Sequence, residues 1–447
     1  MLRAVAHSLS IAHPPCSSMG MLASVWTVPG YAHAFSSNAT NSNSHPGPLA
    51  GIRVLDLGQV VAGNFCGGTL AYFGADVIKV EPPGKGDALR ALRMLENGTS
   101  GNSLWWRVSG RNRRCITANL HTPAGREIVK QLSSHADVLI ENFRPGVMEK
   151  WGLGPADLKQ SLIYTRISGY GQNGPRSGEP GYASVCEAYG GFRSLNGFPD
   201  REPVRPNLSL GDTLAGLHAA FGTVMALLHR QRLGVGQKGG GQVVDASISE
   251  SVFNMLESCI TEAAEAGVSR GPSGSTISGV VPSGTFQTKS GKHVIIGGNG
   301  DSVYSRLMAA IGRPDMSADN PQFATNNDRC KHVDLIMSEI SKYCAEHTLD
   351  EVVATMNAAR VPCGPILTVS DILQDEHYKA RGMFEKASPP KGGREMTVPA
   401  MLPVLSKTPG ATRWTGPDLG EHTEEVLRGE LGYSEQKMAE LRASGAI

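Results

Sequence analysis

Acidic residues are missing from the first 55 positions: the earliest is Asp56, whereas Ser, Ala and His are frequent and Arg3 and Arg53 are the only fixed cations. A Ser-rich, acid-free leader of this kind has the composition of an organelle transit peptide, and it is too irregular for a secretory hydrophobic region. The expectation is mitochondrial (matrix) import directed by residues 1–48, whose last part, Ser-Ser-Asn-Ala-Thr-Asn-Ser-Asn-Ser-His-Pro-Gly-Pro, reads as linker. The eight cysteines contain no Cys-x-x-Cys pair. That argues against a zinc or disulfide framework and for a reducing compartment. No P-loop signature occurs, and the first strand leads into Gly58-Gln59-Val60-Val61-Ala62-Gly63 rather than Gly-x-Gly-x-x-Gly. NAD-type chemistry is therefore disfavoured. No apolar run has the length expected of a membrane span. Lys and Arg (42) balance Asp and Glu (41) without clustering, so nucleic acid is not an expected partner.

What is present is an ordinary globular composition, 447 residues with 40% hydrophobic and 19% charged, enough for two or three domains. Strand patterns at residues 52–57, 77–80, 115–118, 138–140 and 162–164 alternate with helical ones. One helix is opened by Thr122 with Pro123 in its first turn. This alternation predicts βαβ units and a large, Rossmann-like parallel sheet. Residues 234–241 form a glycine-rich connector, and a second Gly/Ser-rich stretch, 271–279, precedes two short strand patterns of a smaller α+β domain. The expected boundaries are 49–235 for the first part of the large domain, 250–345 for the small one, and 346–447 for a segment returning to the large one.

Asp212 stands where a helix should begin, in the stretch 207–216 that runs into the nearly all-apolar pattern 217–228. The pattern predicts a buried helix. At such a start, free amides and the helix dipole would hold a carboxylate ionised. A positioned carboxylate can act as a covalent nucleophile. Asp is also a common N-cap residue, so position alone does not separate the two roles.

Six segments together resemble the family III CoA-transferases: Val54-Leu55-Asp56; Phe73-Gly74-Ala75-Asp76-Val77-Ile78-Lys79-Val80-Glu81; Glu141-Asn142-Phe143-Arg144-Pro145-Gly146; Ser168-Gly169-Tyr170-Gly171; Leu210-Gly211-Asp212; and Pro362-Cys363-Gly364-Pro365. Each is weak alone, but their order and spacing match from about Leu49 to the C-terminus. The resemblance implies the family's interlocked homodimer, no permanently bound cofactor, and coenzyme A thioesters as substrates. It implies Asp212 as nucleophile, forming an aspartyl anhydride and then an aspartyl-CoA thioester. It places CoA contacts on Val61, Ala62, Ala118, Asn119, Leu120, His121, Asn142, Phe143, Arg144, Lys150 and near Tyr182. A mobile loop would include Gly271, Gly274 and Gly279. A basic residue that some members carry after the second strand is Pro82 here, leaving Arg90, Arg93, Arg111 and Arg113 as candidates for the CoA phosphates.

The stretch 238–242 reads as an insertion. The racemase branch of the fold uses a histidine base where this chain has Tyr182, a phenol poorly suited to proton abstraction near neutrality. A racemase is the runner-up, and a non-catalytic CoA-binding protein is a further alternative of another class. The expected reaction is transfer of CoA from an acyl-CoA, with succinyl-CoA favoured, to a small dicarboxylate such as glutarate, hydroxymethylglutarate or itaconate. Arg205 or Arg270 would hold the distal carboxylate.

Overall fold

A computed structural model describes residues 47–233 and 240–447. The leader and most of the 234–241 connector lie outside the described residues. Six strands form one sheet: β1 (Arg53–Asp56), β2 (Asp76–Glu81), β3 (Arg113–Thr117), β4 (Val138–Glu141), β5 (Ile163–Ser168) and β6 (Gln242–Ser247). Every neighbouring pair is parallel, in the order β3-β2-β1-β4-β5-β6. This is the Rossmann order, and it reverses direction between β1 and β4.

The strands read as near-continuous apolar runs because both faces are covered. Alternate residues face opposite ways, and each face has its own core. Val54, Val77 and Ile140 pack with Cys66 and Leu70 of helix α1 (Ala62–Tyr72). Leu55, Ile78 and Leu139 pack on the other face with Val426, Leu427, Met438 and Leu441 from two C-terminal helices, Thr423–Gly429 and Glu435–Ala443.

The intervening helices are α2 (Leu104–Ser109), α3 (Pro123–His135), α4 (Val147–Lys150), α5 (Ala183–Tyr189), α6 (Phe192–Leu195) and α7 (Leu210–Arg232), with α8 (Ile248–Phe253) and α9 (Cys259–Ala266) after β6. Thr122 caps α3 as its sequence predicts, accepting from the Gly125 amide, with Pro123 in the first turn. A three-stranded antiparallel sheet follows: β7 (Ser283–Gln287), β8 (His293–Gly297) and β9 (Cys363–Pro365). It has its own core, including Phe286, Val294, Ile296, Tyr304, Leu307 and Ile340.

Two expectations need correction, and both concern α7. The helix has 23 residues and is apolar enough, by length and composition, to cross a membrane. Asp212, Thr213, His218 and Thr223 interrupt its apolar residues, so no uninterrupted apolar run marks it in the sequence. It is also not buried all round. Ala215, Ala219, Ala220 and Ala226 face the core, whereas Leu217, Phe221, Met225 and Leu228 are exposed along the opposite side. The inward face is made of small residues, so the helix sits close to its neighbours. At Gly216 an added Cβ would lie 2.6 Å from the Ala62 carbonyl oxygen, a contact that only glycine permits.

Candidate active site

In a right-handed βαβ crossover the helix runs back against its strands, so it starts at the carboxyl edge of the sheet. The starts of α1 and α7 therefore share that edge with the ends of β1, β3 and β4. The Gly216–Ala62 approach brings the two helices together one turn beyond Asp212. Val61, Ala62, residues 118–121, residues 142–144 and Lys150 all fall along this edge.

At the reversal point the loops after β1 and β4 are stitched reciprocally. The Gln59 amide donates to Asn142 Oδ1 (2.7 Å) and Asn142 Nδ2 donates to the Gln59 carbonyl (2.8 Å). Val60 sits between them with φ +62°. For a β-branched residue that conformation costs about 1–3 kcal/mol and persists only when its surroundings impose it. Here Asp87 imposes it, accepting the Val60 amide at 3.0 Å. Val61 and Ala62 follow, both buried as whole residues.

The Phe143 amide is held by Glu141 Oε2 (2.8 Å), and its ring meets Trp151 edge-on, with His121 on the same indole. Glu141 is itself buried, which pushes its carboxyl up to about 7 against the opposing pull of Arg166. Arg166 also ties down Glu149 (2.6 Å), leaving the neighbouring Lys150 exposed. The side chains of Arg144 and Lys150 have no acidic partner among the described residues. Ala118 is buried with its amide on the Glu81 carbonyl, and the Asn119 amide meets the Ala446 carbonyl. Leu120 packs into the adjoining core.

Three of the four alternative phosphate cations are committed elsewhere. Arg90 binds Glu81 (2.6 Å) over the Trp106 ring, Arg113 is fully buried on Asp56 (2.6 Å) and Asn64, and Arg111 is buried on the Pro399 carbonyl and Thr412. Arg93 lies over the Trp105 ring. Arg90, Arg111 and Arg113 thus staple loops, whereas Arg93 stays exposed without an acidic partner among the described residues.

Asp212 is not the cap of α7. Ser209 occupies that position without a side-chain bond, and Asp212 lies in the first turn. The Gly211 amide goes instead to Glu187 Oε1 (3.0 Å), a fully buried carboxylate from α5. No hydrogen bond reaches the Asp212 carboxylate among the described residues. Burial first, and Glu187 second, push its pKa up to about 6, while Arg205 pulls the other way. The expectation that helix amides stabilise the anion is thus reversed, because a neighbouring acid takes the amide and adds its own negative potential.

Glu187 Oε2 in turn meets Arg193 (3.4 Å) and Arg205 (3.7 Å). Arg270, the other proposed carboxylate partner, is locked to Glu262 and Glu257. Tyr182 opens α5 and is 83% exposed. Gly271, Gly274 and Gly279 lie in the segment between α9 and β7; Gly274 has φ +67° and donates its amide to the Gly197 carbonyl (2.8 Å). Sequence reasoning missed Glu187, Arg193 and Val60. Only Glu187 left a trace, as an acid set within a mostly apolar helix.

A Rossmann-ordered sheet thus has an unbonded, partly buried carboxylate beside its carboxyl edge, a group that can serve covalent acyl chemistry. Residues 49–423 match CoA-transferase family III. The chain is 42% identical to succinyl-CoA–D-citramalate CoA-transferase of Chloroflexus aurantiacus, over 91% of this chain and all of that protein. It is 39% identical to the beta subunit of succinyl-CoA–L-malate CoA-transferase of the same organism, covering 90% and 98%. It is 32% identical to formyl-CoA:oxalate CoA-transferase of Afipia carboxidovorans, covering 89% and 97%. A crystal structure of a CAIB/BAIF family protein from Brucella suis superposes with a TM-score of 0.73 at 31% identity, over 87% of this chain and all of that one. The chain belongs to the family III CoA-transferases, enzymes that act on CoA thioesters and carboxylic acids.

Proposed function

We propose that the chain moves coenzyme A from succinyl-CoA to a small dicarboxylic acid through covalent intermediates on Asp212. The observation that carries this is the state of that side chain: partly buried, without hydrogen bonds, and poised near pH 6. It is ionised at neutral pH, yet its anion is poorly stabilised, which makes it a better nucleophile than a solvated carboxylate.

An Asp212 oxygen attacks the thioester carbonyl, forming a mixed anhydride and expelling CoA thiolate. The thiolate attacks the Asp212 acyl carbon, releases the donor acid and leaves an aspartyl-CoA thioester. The acceptor carboxylate then attacks that carbon and expels the thiolate again. Attack of the thiolate on the acceptor's acyl carbon yields the new thioester and frees Asp212. One thioester replaces another, so the exchange is close to thermoneutral.

CoA lies along the edge formed by residues 61–62, 118–121 and 142–144, with Arg144 and Lys150 toward its phosphates. The absence of acidic partners on those two cations supports this. The glycine segment 271–279 closes over the reacting carbonyl. The names of the relatives support the choice of donor and the dicarboxylate class. Glutarate, hydroxymethylglutarate and itaconate are the acceptors to test first. The enzyme works as a homodimer, supported by the exposed apolar side of α7 and a groove of about 910 Å³ that it forms with Val243 and Phe253. The acid-free leader supports a mitochondrial site of action.

The test is mass spectrometry of the protein after addition of succinyl-CoA and hydroxylamine. Modification should fall on the peptide containing Asp212, and an unmodified peptide from an enzyme that still exchanges thioesters would sink the covalent mechanism. Imaging of tagged full-length and Leu49-start forms tests the compartment, since identical distributions would remove the import reading.

A further inference from the structure

Resting on the reading of Asp212 as nucleophile, we infer that Arg205 and Arg193, both held by the buried Glu187 carboxylate, form the receptor for the non-reacting carboxylate of a dicarboxylate substrate. Two features of the arginines point to an absent anion. Arg205 approaches Glu187 with Nε at 3.7 Å, makes no hydrogen bond to it, and its side chain is 43% exposed. Its Nη groups find no acceptor among the described residues. Arg193 spends Nη2 on the Ser184 carbonyl and Glu187, while its Nε is buried without a partner. A buried orphan donor on a guanidinium is costly, and a ligand carboxylate relieves it. A planar fork suits that role better than an ammonium.

The charge count changes during the reaction. Before it, two guanidinium groups face two carboxylates, Glu187 and Asp212. Acylation of Asp212 removes its charge and leaves the cluster one positive charge in excess. An acid bearing a second carboxylate restores neutrality, and a monocarboxylic acid does not. The position also fits. Glu187 holds the amide of Gly211, immediately before the nucleophile. The segment carrying Arg205 is anchored to the glycine loop through the Gly274–Gly197 hydrogen bond, and an added Cβ on Gly274 would lie 3.0 Å from the Phe198 ring. Arg270, on that same loop, is excluded by its own acidic partners.

The experiment measures kcat/KM with succinyl-CoA for glutarate and for pentanoate, which has the same chain length and one carboxylate. It uses the full-length protein and its Arg205→Leu, Arg205→Lys and Arg193→Lys variants. The wild type should favour glutarate. Arg205→Leu should cut the glutarate-to-pentanoate ratio by about 10- to 100-fold, the range for a lost charge-assisted hydrogen bond, and Arg205→Lys should restore part of it. Arg193→Lys should lower the same ratio while the protein stays folded, because the positive charge on Glu187 is kept. A ratio that is unmoved, or equal losses on both acids, overturns the receptor while leaving the transferase intact. No thioester exchange by the wild type with any acid overturns both.

Discussion

Replacing Asp212 by Asn should stabilise the protein, and by an amount that grows with pH. The carboxyl has an ordinary pKa of 3.8 and is raised to about 6 in the folded chain, chiefly by burial and then by Glu187. The folded state therefore holds the proton more tightly than the unfolded state, and between these two values folding takes up protons. Stability from this group is greatest below pH 3.8 and declines as pH rises through 6, where the anion must sit in its unfavourable place. The full difference is about two pH units at ~1.4 kcal/mol each, or about 3 kcal/mol. The partly open side of the side chain reduces that toward about 2 kcal/mol by solvent screening. Asn keeps the shape without the charge. Parallel denaturant titrations of wild type and Asp212→Asn at intervals from pH 4 to 8 measure the gap. It should be small at pH 4, open between pH 4 and 6, and level off near 2–3 kcal/mol. A variant no more stable than wild type at pH 8, or a gap independent of pH, refutes the claim that the nucleophile is a destabilised anion.

The same electrostatics predicts that the acid limb of kcat/KM lies near pH 6. Glu187→Gln should move it to lower pH, since a negative neighbour is gone, and stopped-flow pH profiles showing no displacement would remove Glu187 from the site's potential. Asn142→Ala breaks both stitches between the loops after β1 and β4. It should raise KM for the acyl-CoA up to about 30-fold with a smaller effect on kcat, at roughly 1 kcal/mol for each of the two hydrogen bonds; an unchanged KM means the edge does not bind CoA. Gly216→Ala forces α7 away from the Ala62 carbonyl. It should lower activity and destabilise the fold by about 1–3 kcal/mol, which thermal melts and turnover assays check together.

The parallel sheet was legible because its strands announce themselves as short apolar runs broken by helical patterns, and because Thr122-Pro123 marks a helix start by local chemistry. These are short-range signals, written in consecutive residues. The edge on which residues 61–62 and 142–144 converge was legible only through the motifs that carry the family resemblance. The residues stitched together there, Gln59 and Asn142, lie 83 positions apart. The exposed side of α7 was not legible, since an apolar pattern records what a residue avoids but not which neighbour covers it. Nor were the roles of the arginines. Arg90, Arg113 and Arg205 look alike as letters, and only their partners separate two buried staples from a cation with donors to spare.

That last distinction also corrects the reason for which Asp212 was singled out. Its place near a helix start suggested an anion stabilised by amide groups, and helix geometry alone does favour that. The sequence cannot show that Glu187, 25 residues earlier and on another helix, takes the Gly211 amide first. The consequence is chemical as well as structural. An amide-stabilised carboxylate would be a weak nucleophile and a strong leaving group, suited to anchoring a helix. A carboxylate denied those amides and set beside a second acid is costly to keep ionised, and acylation relieves that cost. On the proposed mechanism the fold holds its nucleophile in a state that acylation improves, and Glu187 does so while keeping Arg193 and Arg205 beside it.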